Sequence, residues 1–169
     1  MIFYPDLYLE NILKIDKEIL KKNDIKGILL DIDNTILYYD RTMLDGVKEW
    51  CESLKNEEIK FCILSNSNHI EKIKIVSDAL QIPYVFFAKK PLLGGYKKAL
   101  TILQLQPQNV AMVGDQVLTD VLGANRMKMF SILTKPLEER DIWITKVKRP
   151  VENLIIKSYL KREKTNVSK

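Results

Sequence analysis

Five short apolar runs punctuate the chain, at 27–32, 60–64, 84–88, 109–113 and 129–133. Each is apolar at successive positions rather than alternate ones. Both faces of such a strand must be buried, as in a parallel sheet covered by helices. Between the runs the apolar period lengthens to helical spacing near 46–55, 69–80, 95–103 and 119–127. Strands alternating with helices predict right-handed βαβ units and hence an α/β fold with a parallel sheet. No repeat or low-complexity segment interrupts the pattern.

The flanks read differently. Over 7–22 the apolar residues Leu9, Ile12, Leu13, Ile19 and Leu20 define one helical face. That face suits packing on the sheet or lying on a membrane surface. Glu10, Asp16 and Glu18 dilute its positive charge, so a packed helix is expected. A final helix is predicted over 151–161. A chain of 169 residues fits a single domain spanning 1–169, with the core at 27–135 and a basic helix and tail at 146–169.

Composition narrows the classes. Apolar residues make up 46% and charged ones 29%, enough for a core and for solubility. No stretch has the run of about 20 apolar residues that a spanning helix needs. The first residues lack the basic and apolar regions of a signal peptide, which predicts a cytoplasmic protein. Cys51 and Cys62 fall in a predicted helix and strand and read as buried thiols, and His69 alone cannot complete a zinc site with them. The net charge of +5 is uneven: eight Lys or Arg from Lys146 to Lys169 face only Glu152 and Glu163. Such a tail admits an anionic partner, whether RNA, anionic lipid or a phosphorylated substrate. It also reads as a solvated terminus.

In an open parallel sheet, ligands bind beyond the carboxyl ends of the strands. Asp31 and Asp33 close the first run, Ser65 and Asn66 the second, Lys89 and Lys90 follow the third, and Asp115 closes the fourth. An acid at the end of an apolar strand is costly unless it is paired. A hard cation such as Mg²⁺ provides the pairing, because it takes oxygen ligands and needs only one or two carboxylates plus a substrate phosphate. A carboxylate can also accept a phosphoryl group, a second acid can serve as general acid and base, and lysine and serine can hold phosphate oxygens.

The segments D-I-D-N-T, I-L-S-N, K-K-P and G-D-Q-V-L-T-D resemble, in order and spacing, the four motifs of the haloacid dehalogenase superfamily of phosphohydrolases. The resemblance implies a Rossmann-like three-layer sandwich with strand order 5-4-1-2-3. It makes Asp31 the nucleophile and Asp33 the general acid and base, with the Asp33 backbone carbonyl on Mg²⁺. It places Ser65 and Asn66 on the phosphoryl group, Lys90 against Asp31 and phosphate, and Asp115 on the metal. Thr35 and Asp120 take supporting places. An acid at position 33 implies a phosphatase rather than an ATPase. The spacings leave no room for a large cap, as in subclass III.

A narrower resemblance, in Y-P-D-L-Y, K-P-L-L-G-G-Y-K-K-A-L and G-D-Q-V-L-T-D-V-L-G-A-N-R, is to the bacterial YqeG family of subclass IIIA. That family is similar to mitochondrial phosphatidylglycerophosphate phosphatases. Lys128 stands where the pattern often has glycine. The implied activity is Mg²⁺-dependent hydrolysis of phosphatidylglycerophosphate through an aspartyl-phosphate, with peripheral contact at an anionic membrane. A soluble phosphate ester, nucleotide or sugar phosphate, is the alternative substrate. A non-catalytic module docking to RNA, a ribosomal partner or a GTPase is a second alternative, supported only by the basic tail.

Simpler roles stand beside these. D-N-T is good turn chemistry, Asp115 or Asp120 can cap a helix, and Asp120 can instead pair with Arg126. Gly94 and Gly95 suit a turn, or a phosphate at a helix start. Asn125 and Arg126 are candidates for substrate contact, or a surface helix end. Trp50 and Trp143 are expected to pack.

Overall fold

The computed structural model describes residues 1–138 and 143–167, with side chains of the last helix described for 150–164. Trp143 and the basic side chains Lys146, Lys148 and Arg149 therefore lie outside the described set.

Six parallel strands form one sheet: β1 (Leu7–Leu9), β2 (Gly27–Leu30), β3 (Lys60–Leu64), β4 (Tyr84–Val85), β5 (Val110–Gly114) and β6 (Phe130–Thr134). Their order is β1-β6-β5-β2-β3-β4. The five strands expected from sequence occupy the order 5-4-1-2-3, and β1 adds a sixth at the edge. Helices α1 (Lys17–Lys22), α2 (Val47–Lys55) and α3 (Ile70–Leu80) precede β4, and α4 (Leu93–Leu103), α5 (Leu122–Met127) and α6 (Trp143–Val167) follow it. Burial divides by strand parity. Ile28, Leu30 and Ile63 pack with Trp50, Leu54, Ile73 and Val76, whereas Leu29, Cys62 and Leu64 pack with Tyr96, Ala99 and Leu103. Alternate side chains of one strand thus feed two separate cores, which is why the strands are apolar throughout.

The expected helix over 7–22 is not continuous. Leu7–Leu9 pairs with Ile132–Thr134 of β6, and two short helical turns follow. Two capping residues break the helix. Asn11 Oδ1 accepts from the Leu13 N–H at 3.0 Å, and Asp16 Oδ1 accepts from the Ile19 N–H at 2.8 Å. Each cap starts a new turn with extended backbone at the cap itself. Ile12, Ile15 and Leu20 are buried, so the apolar residues of this segment belong to the core. Gly94 and Gly95 lie in the first turn of α4 rather than ahead of it. A Cβ on Gly95 would stand 2.7 Å from Ala88. The last helix extends beyond 151–161 in both directions. Trp50 packs edge-on against Phe61 and donates Nε1–H to the Ile15 carbonyl at 2.8 Å. Cys51 and Cys62 are buried free thiols, their pKa values pushed up to about 11 and about 12 by burial.

Candidate active site

Four strand ends meet at one rim. Asp31 follows β2 and donates its N–H to the Val113 carbonyl at 2.9 Å, which extends the sheet by one residue toward the rim. After it, residues 33–43 fold over into a small flap with bridges between Asp33 and Leu37 and between Leu37 and Met43. Asn34 sits at φ 62° within it and exchanges hydrogen bonds with the Glu138 backbone at 3.0 and 2.9 Å. Asparagine tolerates this left-handed conformation better than most residues. Among the described residues no large cap interrupts the order of elements around the site.

The centre of the rim is a buried charge cluster. Lys90 Nζ lies 2.6 Å from Asp31 Oδ1 and 2.7 Å from Asp120 Oδ1. Carboxylate oxygens of Asp31, Asp115 and Asp120 lie within 4.8 Å of one another. Asp115 leaves β5 directly. Asp120 arrives through a π-helical turn, Val117–Val121, that brings its carboxylate back over Gly114. There Oδ2 accepts from the Gln116 N–H at 3.1 Å, and a Cβ on residue 114 would sit 2.2 Å from that oxygen. Glycine at 114 is therefore a condition for the inward Asp120. From α6, the buried Glu152 accepts from the Leu118 N–H at 2.9 Å and steadies the same turn.

The electrostatics follow from three acids around one lysine. Burial raises the Asp31 carboxyl to about 7, with Lys90 opposing and Asp120 adding to the rise. Asp115 is held well above the usual carboxylate range by burial and by the charges of Asp31 and Asp120. Burial works to lower Lys90, but Asp120 and Asp31 outweigh it and hold the ammonium charged. The cluster is short of positive charge. Among the described residues Asp115 Oδ1 is buried without a hydrogen-bond partner, and such an oxygen is costly unless something pairs with it. Clustered carboxylate oxygens with an unpaired lone pair are the donor set of a hard divalent cation. The residues present fit such an ion.

The remaining candidates are placed plainly. Ser65 is buried at the end of β3, its Oγ accepting from the Ser67 N–H at 3.1 Å. Asn66 clamps Lys90 from both sides of its amide: Oδ1 accepts from the Lys90 N–H at 2.5 Å, and Nδ2 donates to the Lys90 carbonyl at 3.1 Å. The buried Thr35 hydroxyl has no partner among the described residues. Asp33 stands outside the carboxylate triad, and its half-exposed side chain pairs with Lys72 of α3 while its charge adds to the rise at Asp31. Arg126 donates to the Pro91 carbonyl at 3.1 Å, on the loop that carries Lys90. Asn125 is not brought to the rim. Its amide donates to the Ile2 and Tyr4 carbonyls at 2.8 and 2.9 Å, stitching the N-terminus to the start of β6. His69 is exposed at the start of α3, and Lys89 is exposed beside Phe87.

Sequence reasoning missed three contributors. Lys72 is one of two lysines on α3, with nothing local to single it out. Glu152 comes from a distant helix. Tyr96 donates its hydroxyl to the Thr119 carbonyl at 2.9 Å against Gly123. The glycine at 123, which leaves room for the ring, carries no local signal that points to Tyr96.

Known proteins now bear on this arrangement. Residues 1–138 match the family model described as mitochondrial PGP phosphatase. The chain is 39% identical over 162 residues to the Bacillus subtilis protein named probable phosphatase YqeG, covering 95% of this chain and 93% of that one. It is 24% identical over 170 residues to phosphatidylglycerophosphate phosphatase 1 of Arabidopsis thaliana, covering 94% of this chain and 48% of the plant protein. Among solved structures, a HAD phosphatase from Thermococcus onnurineus superposes with a TM-score of 0.60 at 15% identity, covering 70% of this chain and 90% of that one. The chain has the fold of that HAD phosphatase and belongs to the mitochondrial PGP phosphatase family.

Proposed function

We propose that the chain hydrolyses the phosphomonoester of phosphatidylglycerophosphate through an aspartyl-phosphate on Asp31. One observation carries the chemistry: Lys90 bridges Asp31 and Asp120 while Asp115 keeps a buried, unpartnered oxygen beside them. The substrate is supported by the family model and by the name of the plant relative.

Asp31 attacks phosphorus as the carboxylate. As the bond from its oxygen forms, the bond to the substrate alcohol breaks, and Asp33 supplies the proton to the departing oxygen. Asp33 then takes a proton from water, whose oxygen attacks the phosphorus. The Asp31–phosphorus bond breaks, and inorganic phosphate and free Asp31 result. Lys90 holds Asp31 and offers charge to the phosphoryl oxygens, while Ser65 provides a hydroxyl at the same rim. Asp33 must turn from Lys72 toward the leaving group, and its half-exposed side chain has the room to do so. A divalent cation, Mg²⁺ by its preference for hard oxygen donors, would be held by Asp31, Asp115 and the Asp33 carbonyl, with Asp120 behind them. It would neutralise phosphate charge.

The test is phosphate release from phosphatidylglycerophosphate in mixed micelles beside a panel of soluble esters, for wild type and D31N. The expected result is metal-dependent turnover of the lipid, absent in D31N, with a hydroxylamine-labile phosphoryl label on wild type only. A kcat/KM orders of magnitude higher for a soluble ester would reject the lipid substrate. Equal rates for both proteins would reject the nucleophile.

A further inference from the structure

Residues 86–92 join β4 to α4 and face two ways at once. Lys90 turns inward to the acids, with 6% of its surface exposed. Phe86, Phe87 and Leu92 turn outward, exposed by 46, 52 and 58%. Single exposed apolar side chains are ordinary, but three within seven residues at the mouth of a site are not.

The loop is fixed in this pose. Phe87 and Lys89 hold φ at 47° and 54°, a region that bulky side chains avoid. Their surroundings hold them there. The Phe87 and Ala88 N–H groups donate to the Ser67 and Ser65 carbonyls at 3.0 and 2.9 Å, and Asn66 clamps Lys90. Backbone strain is thus maintained while two adjacent phenylalanines stay in water. Lys89 Nζ lies 4.9 Å from the Phe87 ring centre, and the segment contains no acid. Aromatic groups that reach outward beside uncompensated positive charge match an anionic headgroup layer with acyl chains beneath it.

We propose that the 86–92 loop docks the enzyme on an anionic bilayer. Phe86, Phe87 and Leu92 enter the acyl boundary and Lys89 meets lipid phosphates. This rests on the lipid reading of the active site and deepens it, because the docking residues adjoin Lys90 in sequence. A phosphorylated headgroup at that surface needs to rise only a short way to reach the acids. It also moves the membrane contact away from 7–22, where Ile12, Ile15 and Leu20 are buried and Leu7, Leu9 and Leu13 pack against the core.

The test is sedimentation with vesicles of phosphatidylcholine alone or mixed equally with phosphatidylglycerol, comparing wild type with F86S/F87N. Asparagine at 87 tolerates the positive φ, and turnover of a soluble aryl phosphate reports folding. Wild type is expected to bind the mixed vesicles and to bind neutral ones weakly. The double variant should lose about tenfold or more in binding while keeping aryl phosphate turnover within about twofold. Undiminished binding by the variant, or no binding by wild type, overturns the docking loop. So does a dimer of wild type that the variant abolishes without any vesicle binding, which would give the patch to a second copy. The two readings fail separately. Vesicle binding that depends on the phenylalanines, without hydrolysis of phosphatidylglycerophosphate, sinks the substrate alone. Hydrolysis of that lipid with binding indifferent to the phenylalanines sinks the loop alone.

Discussion

The two ends of the sheet carry polar clusters of similar size and opposite design. At the amino end, Asp6 Oδ2 accepts from the Ser131 N–H and sits 2.9 Å from its hydroxyl, while Asn125 ties the same hydroxyl to the Ile2 and Tyr4 carbonyls. Nearly every donor there meets an acceptor, and the cluster fastens the N-terminus. At the carboxyl end, like charges crowd together; among the described residues Asp115 Oδ1 and Thr35 Oγ1 are buried without partners, and one lysine answers three acids. A satisfied network stabilises a fold, whereas an unsatisfied one costs stability and is kept where a ligand completes it.

This contrast can be broken by substitution. D31N should lower turnover by at least about 10³-fold while leaving the fold intact, measured as kcat beside a thermal melt. K90M should cost about 3–5 kcal/mol of stability, because it leaves buried acids uncompensated; added Mg²⁺ should restore part of the melting temperature.

A pH series sharpens the difference. Asp31 is raised from 3.8 to about 7 in the folded chain. Between those values the folded state holds a proton that the unfolded state has released. Stability of the metal-free protein is therefore full below that window and falls as pH rises through it, by roughly 1.4 kcal/mol per pH unit at most for this group. Saturating Mg²⁺ favours the ionised form and should flatten the slope in urea unfolding. N125A should behave oppositely to D31N, losing about 1–2 kcal/mol of stability with kcat little changed. K72M should be mildest in stability, under about 1 kcal/mol, since Asp33 is half exposed.

The contrast also explains what could be read from residues alone. Strands buried on both faces announce themselves by unbroken apolar runs, so an acid at the end of one stands out, as Asp31 and Asp115 do. Pro91 separated Lys90 from Lys89 only through family resemblance. β1 was hidden because Leu9, Ile12 and Leu13 satisfy helical spacing by coincidence, and a three-residue strand is recognised by its partner rather than by its own period. Asp120 looked secondary because its position depends on a π-turn and on a missing Cβ four residues or more away. Asn125 looked functional beside Arg126, yet adjacent helix residues point in different directions, and its amide serves the opposite end of the sheet.

The brevity of the outermost strands has its own consequence. β1 spans three residues and β4 two, so neither margin offers a ladder long enough for a foreign strand to zip onto. A sheet whose interior is apolar on both faces would otherwise be a hazard in a crowded cell. Here the protein guards against fibril-like stacking simply by ending its hydrogen-bonding rows early.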